Sequence, residues 1–217
     1  MTDWRYSSKQ TENSREVLDE LLALIPNAVL IGGWASWVRS KGPMSHDIDL
    51  IISHAERNQI AAIAVDMSES THVGARKWRA TYKDIHVDLY VPHQSRLGEE
   101  LQLRTEDLTD FVEVVESYRV LTVGAHIATK WAGLMDRPYA LPGQKDRYEL
   151  LQLLALPGAD EAPSIIKRAS ERDEESLARL IREGFGYLRT SKDAGGKKEI
   201  RKLDHRARAW ETELTSP

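Results

Sequence analysis

With 217 residues, 41% of them hydrophobic and 29% charged, the chain can form one compact domain or two small lobes and has the balance of a folded protein, not a disordered one. It holds no cysteine, which excludes disulfides, thiolate metal sites and a cysteine nucleophile. A net charge of −4 argues against coating nucleic acid by bulk electrostatics, while a local basic patch remains open.

Val17, Leu18, Leu21, Leu22 and Ile25 recur at helical spacing, so a first helix is expected over Ser14 to Ile25, closed by Pro26 and Asn27. Ala28 to Ile31 reads as a short buried strand that turns at Gly32 and Gly33 into a helix from Trp34 to Ser40. Lys41, Gly42 and Pro43 break that helix, and His46 to Ser53 has the β-branched content of a strand. Ala55 to Ser68 reads as a helix. Strands follow at Arg76 to Tyr82 and Ile85 to Val91, joined by a tight turn at Lys83 and Asp84 and ended by Pro92.

Beyond Gly98 the character changes. Leu101 to Asp110 is irregular, and Phe111 to Ser117 fits either a strand or a helical turn. Helices are then expected at Val123 to Leu134, at Lys145 to Leu156 after a Pro and Gly loop over Tyr139 to Gly143, and once or twice within Ser164 to Arg189. A polar linker, Ser191 to Gly196, precedes a charged helix over Lys197 to Leu214. The boundary is placed near Arg119, giving lobes 1–118 and 119–217. The fold class is α/β (α+β), a mixed sheet with flanking helices followed by a helical C-terminal lobe. With neither a basic, apolar leader nor an apolar run long enough to span a bilayer, a cytoplasmic location without membrane association is expected.

Asp47 and Asp49 are one residue apart on an expected strand, where side chains alternate, so both carboxylates share a face. Magnesium takes hard oxygen ligands and usually keeps substrate phosphates among them, which makes the pair beside a glycine turn a candidate nucleotide-metal site. Asp88, within His86-Val87-Asp88-Leu89-Tyr90, is a charge on an apolar strand and is costly there without a metal or partner. A trio of this kind suits two ions about 3.5–4 Å apart, with Asp88 as the second ion's ligand or as a general base.

Gly32-Gly33, then Ser45, Asp47-Ile48-Asp49 and later Asp88 resemble the signature of the DNA polymerase β type nucleotidyltransferase superfamily. Lys130 followed by Lys145-Asp146-Arg147-Tyr148 resembles the later motifs of AbiEii abortive-infection toxins and the related MenT toxins of toxin-antitoxin pairs. The resemblance spans roughly the middle two-thirds of the chain, and its first half is the more specific. It implies a nucleotidyltransferase fold, with Gly32, Gly33 and Ser45 on the triphosphate and Asp47, Asp49 and Asp88 on Mg2+. It also implies Lys130 as the phosphate cation and Asp146 as the residue that orients Lys130 or the nucleotide. Pro43 stands where toxin relatives often carry an arginine, which leaves Arg39, Lys41 or Arg79 as replacement phosphate contacts. Glu149 lies near the second carboxylate of the last motif.

The implied reaction moves a nucleoside monophosphate from a nucleoside triphosphate to an acceptor hydroxyl. By resemblance the acceptor is the 3′ end of tRNA, and a cognate antitoxin restrains the enzyme. Two alternatives stand beside it: a transferase acting on a small molecule of the aminoglycoside type, and a degenerate fold serving as a binding module or antitoxin. The basic residues of Lys197 to Arg208 suit either an RNA backbone or a solvated helix balanced by Glu199, Asp204 and Glu211. Trp34, Trp37, Trp78 and Trp131 are read as packing residues, and His46, His72, His86 and His93 lack zinc spacing.

Overall fold

The computed structural model describes residues 9–72 and 75–216. They fall into two compact units, one running to Arg96 and resuming over Arg104–Thr122, the other made of Leu97–Leu103 and the chain from Val123 onward.

The first unit contains α1 (Lys9–Leu24), β1 (Val29–Ile31), α2 (Gly32–Ser40), β2 (Ile48–Ile51), α3 (His54–Ile63), β3 (Asp66–His72), β4 (Ala75–Tyr82) and β5 (Ile85–Tyr90). The chain then passes through two short strands, β6 (Arg96–Leu97) and β7 (Leu103–Arg104), to α4 (Thr105–Leu108), β8 (Val112–Val115) and β9 (Tyr118–Leu121). Seven strands form one sheet in the order β3-β4-β5-β2-β1-β9-β8. β2 runs parallel to β5 and β1 to β9, while the other neighbours are antiparallel. The expected mixed sheet with flanking helices is present.

Alternation along the strands sorts the sheet into two faces. Leu30, Ile48, Leu50, Ala80, Val87 and Leu89 point into one core with Val17, Leu18 and Leu21 of α1, Trp34 and Val38 of α2 and Ile60 of α3. Full burial of each valine, leucine or isoleucine among them contributes about 1.5–3 kcal/mol. The Trp34 indole N–H donates to Ser14 Oγ at 2.9 Å, which ties α2 to α1. Asp49, Asp88 and Arg79 occupy the intervening positions, so they project from the other face.

Several boundaries differ from the sequence reading. The helix expected to reach Ser68 ends at Ile63, and the rest becomes edge strand β3, because Asp66 to His72 pair with β4 at seven successive positions. The strand expected over His46 to Ser53 shrinks to Ile48–Ile51. Ser53 instead caps α3, in a reciprocal capping box with Glu56. Gly32 and Gly33 form the first turn of α2 rather than a turn ahead of it. Phe111 to Ser117 resolves as β8 and the turn after it. Lys83 and Asp84, with φ of 50° and 63°, make the two-residue hairpin turn between β4 and β5.

The second unit is helical: α5 (Val123–Asp136), α6 (Leu141–Leu153), α7 (Ala162–Ala169), α8 (Glu174–Arg189) and α9 (Lys197–Thr215). α6 starts inside the expected loop because Pro142 occupies its first turn, where a missing N–H leaves nothing unpaired. Trp131, Phe185 and Trp210 pack together at ring-centroid distances of 4.9, 5.3 and 5.4 Å. No helix among the described residues is long and apolar enough to cross a membrane.

Candidate active site

One row of paired positions crosses the sheet: Ile31 on β1 faces Asp49 on β2, Asp49 faces Asp88 on β5, and Asp88 faces Arg79 on β4. Neighbouring strands lie about 4.8 Å apart, so the two carboxylates are side by side on one face. Asp47 is in the bend just ahead of β2, not on the strand as the alternation argument assumed, and it is exposed. The Asp49 carboxylate leans directly over Gly32, where a Cβ would fall 2.1 Å from Asp49 Oδ2. Gly32 also has a φ of +68°, so both the backbone and the space require glycine. This glycine opens α2, whose N-cap Ile31 offers no side-chain acceptor to the first amides. Amides at a helix start favour an anion, and the carboxylate of Asp49 lies there.

Asp88 is almost fully buried, and its charge is met by two cations from β4. Arg79 grips it with a fork, Nε to Oδ1 at 2.7 Å and Nη2 to Oδ2 at 2.9 Å, while Lys77 Nζ is 2.5 Å from Oδ2. Burial pushes the Asp88 carboxyl up, but Arg79 and Lys77 outweigh that push and hold it below its ordinary value. In return, the hydrogen bonds to Asp88 raise Arg79 against the effect of its own burial, and the charges of Asp88, Asp47 and Asp49 add to the rise. All three carboxylates thus act on one guanidinium.

Among the described residues, no group of three or more histidine, cysteine, aspartate or glutamate side chains is arranged to hold a metal ion. Both Asp88 oxygens are taken by Arg79 and Lys77. Asp47 and Asp49 carry the hard oxygen donors that magnesium takes, Asp47 exposed in the bend and Asp49 lying against Gly32. Asp88 fits as a third ligand only where its two cations yield.

No family model matches the chain, and no curated protein matches it significantly. Among solved structures it is similar to JHP933 from Helicobacter pylori, at 15% identity and a TM-score of 0.45, over 96% of this chain and 95% of that one. It is also similar to an antigenic nucleotidyltransferase-like protein from Paracoccidioides brasiliensis, at 13% identity and a TM-score of 0.43, over 82% and 90% of the two chains. A third similarity is to ANT(2″)-Ia in complex with adenylyl-2″-tobramycin, at 15% identity and a TM-score of 0.47, over 74% and 97%.

Of the remaining expected site residues, Gly33 is buried in the first turn of α2 and Ser45 is buried in the loop before β2. Lys130 of α5 and Asp146 of α6 belong to the second unit, where they meet at 3.3 Å in a buried ionic cluster. Glu149 Oε2 is 2.5 Å from the same ammonium, and Arg137 Nε donates to Asp146 Oδ2 at 3.0 Å. Lys145 reaches Glu149 at 3.7 Å. Among the three replacements for the arginine absent at position 43, Arg39 is held by Glu113 and the Leu121 carbonyl, and Lys41 by Glu116. Arg79 alone of those three bonds to the carboxylate row. Sequence reading passed over Lys77, although Lys77 and Arg79 alternate on a strand expected next to that of Asp88, a pattern that puts both cations on one face. Of the histidines, His46 and His86 are exposed, and the side chain of His72 lies outside the described residues.

Proposed function

We propose that the chain is a nucleotidyltransferase that moves a nucleoside monophosphate from a nucleoside triphosphate to an acceptor hydroxyl, with release of pyrophosphate. The observation that carries this reading is the in-register pair Asp49 and Asp88 on parallel neighbours, with Asp47 at the mouth of β2 and Asp49 lying against Gly32 at the start of α2. Carboxylates on one sheet face beside a helix start suit a polyphosphate and its counter-ion. When bound on Asp47 and Asp49, magnesium supplies positive charge at the α-phosphate. The amides of Gly32 and Gly33 bind the phosphate oxygens, and Ser45, in the loop before β2, is the hydroxyl assigned to the same phosphates. The chain's contribution is then position and charge, which dominate phosphoryl and nucleotidyl transfer.

The acceptor follows from the resemblance of the motifs to toxin nucleotidyltransferases: the 3′ end of tRNA, with a cognate antitoxin as the restraining partner. Incubation with total tRNA, magnesium and each labelled nucleoside triphosphate in turn tests it. Label enters RNA with the wild type and is reduced at least about a hundredfold in the Asp47→Ala, Asp49→Ala double variant, since loss of charge stabilisation alone is worth about 10²–10³ in rate. Label entering small hydroxyl compounds instead of RNA would reassign the acceptor, and label entering neither would leave a binding role.

A further inference from the structure

We propose that the outward face of α9 binds the sugar-phosphate backbone of an RNA strand, with Lys198, Arg201, Lys202 and Arg208 meeting its phosphates. The choice of RNA rests on the transferase reading, whereas the surface follows from how α9 distributes its charges.

α9 buries Leu203, Trp210 and Leu214 and turns the opposite side to solvent. At about 100° per residue, Lys198, Arg201, Lys202, His205 and Arg208 fall within roughly one third of the helix circumference, and all five are exposed. The sequence left this segment open between a nucleic-acid surface and a solvated helix balanced by Glu199, Asp204 and Glu211. Two of those three acids are engaged elsewhere. Asp204 accepts from Arg189 Nη1 at 2.6 Å and Glu211 from Arg182 Nε at 3.1 Å, so both are neutralised by α8. Glu199 lies in the first turn, where its charge answers the positive end of the helix. Arg206 is held by Asp160 and the Leu154 carbonyl. The side chains of Lys198, Arg201, Lys202 and Arg208, by contrast, have no ion-pair or hydrogen-bond partner among the described residues.

These four cations span about three turns, roughly 15 Å. Like charges three and four residues apart repel, and Lys198 sits in the first turn, where the helix dipole disfavours a cation. A solvated helix gains nothing from that arrangement, but a line of phosphates along it relieves both costs. In a chain of net charge −4 the stripe is a local positive field of the kind that holds a polyanion. A membrane-surface helix needs an apolar face to insert, yet no large hydrophobic residue of α9 is exposed among the described residues. A protein interface is centred on aromatic or aliphatic anchors, which the stripe lacks. Phosphate contacts from lysine and arginine need neither, and they read no bases, so binding should be independent of sequence.

The test is fluorescence anisotropy of a labelled oligouridylate and a labelled oligocytidylate at several salt concentrations. Wild type is compared with a Lys198→Gln, Lys202→Gln variant and with an Arg179→Gln, Arg182→Gln variant. The latter removes equal charge from α8, where Glu183 and Glu211 already neutralise it. With four phosphate contacts, log affinity should fall against log salt with a slope of about −3, and the α9 variant should lose about 1.4 of it. At about 0.15 M salt that variant should bind both strands about tenfold more weakly. Without RNA it should melt at or above wild type, since repulsion is relieved; a purely structural role would lower the melt. Should the first pair fold poorly, Arg201→Gln with Arg208→Gln repeats the test. Equal salt slopes in wild type and α9 variant, or equal weakening in the α8 variant, overturn the proposal, as does binding to phosphatidylserine vesicles in place of RNA. Stripe-dependent RNA binding with no nucleotide transfer by wild type would sink the transferase reading and leave the surface standing. Transfer to RNA by wild type, with RNA binding unaltered in the α9 variant, would do the reverse.

Discussion

An alanine at position 32 would meet two separate obstacles. Its backbone φ of +68° is the left-handed region, worth about 1–2 kcal/mol against an L residue, and its Cβ would collide with Asp49 Oδ2. Gly32→Ala should therefore lower stability to denaturant by at least about 1 kcal/mol and abolish nucleotide transfer. Adding Asp49→Gly should recover the steric share, which comes from the Oδ2, Cγ and Cβ of Asp49, and leave the backbone share, a separation that equilibrium unfolding of the two variants measures. Glu106 gives a second residue-scale expectation. Burial pushes its carboxyl up, but its own amide, the His93 amide at 2.9 Å and Arg96 hold it below its ordinary value of 4.5. A depressed carboxyl stabilises the fold above the unfolded pKa, and that stability is lost as pH falls through the folded one. The melting temperature of Glu106→Gln should thus lie below that of wild type at pH 7, with the gap closing as pH drops under 4.5.

At the scale of elements, local pattern and cross-strand pairing compete, and pairing wins where they disagree. The periodicity that suggested helix as far as Ser68 is weak, and the seven paired positions of β3 against β4 override it. Where local chemistry is strong it decides: Ser53 with Glu56 starts α3, and Lys83 with Asp84 turns the β4–β5 hairpin. In the second unit, α8 approaches α5 closely enough that a Cβ at Gly184 would fall 2.4 Å from the Trp131 ring. Trp131 is fully buried between Phe185 and Trp210 and has nowhere to retreat. Gly184→Ala should cost about 1–3 kcal/mol in urea unfolding despite the better helix propensity of alanine, whereas the same change at the looser Gly186 should cost less. The helices of this unit were readable from apolar spacing, but the close approach at Gly184 was not, since it depends on which helix lies opposite.

Across the whole molecule, the carboxylate row and the hydrophobic core use opposite faces of one sheet, so chemistry and stability are separable. Chelation of divalent ions should abolish transfer while leaving the far-ultraviolet circular dichroism unchanged and the wild-type melting temperature within a few degrees, because Arg79 and Lys77 already neutralise Asp88. A large fall in melting temperature on chelation would instead make the ion part of the fold. By itself the sequence determined which residues are apolar at period two or 3.6, hence most of the succession of strands and helices, and it put Asp49 and Asp88 on separate strands, while the place of Asp47 ahead of the first strand came from the structure. Those features are local, legible within a window of a few residues. Only the tertiary structure decided that Asp49 and Asp88 stand side by side, that Asp49 lies on Gly32, and that the cations of β4, rather than Arg39 or Lys41, reach the row. These depend on strand order and register, and register is set by how distant segments pair and bury their apolar faces together.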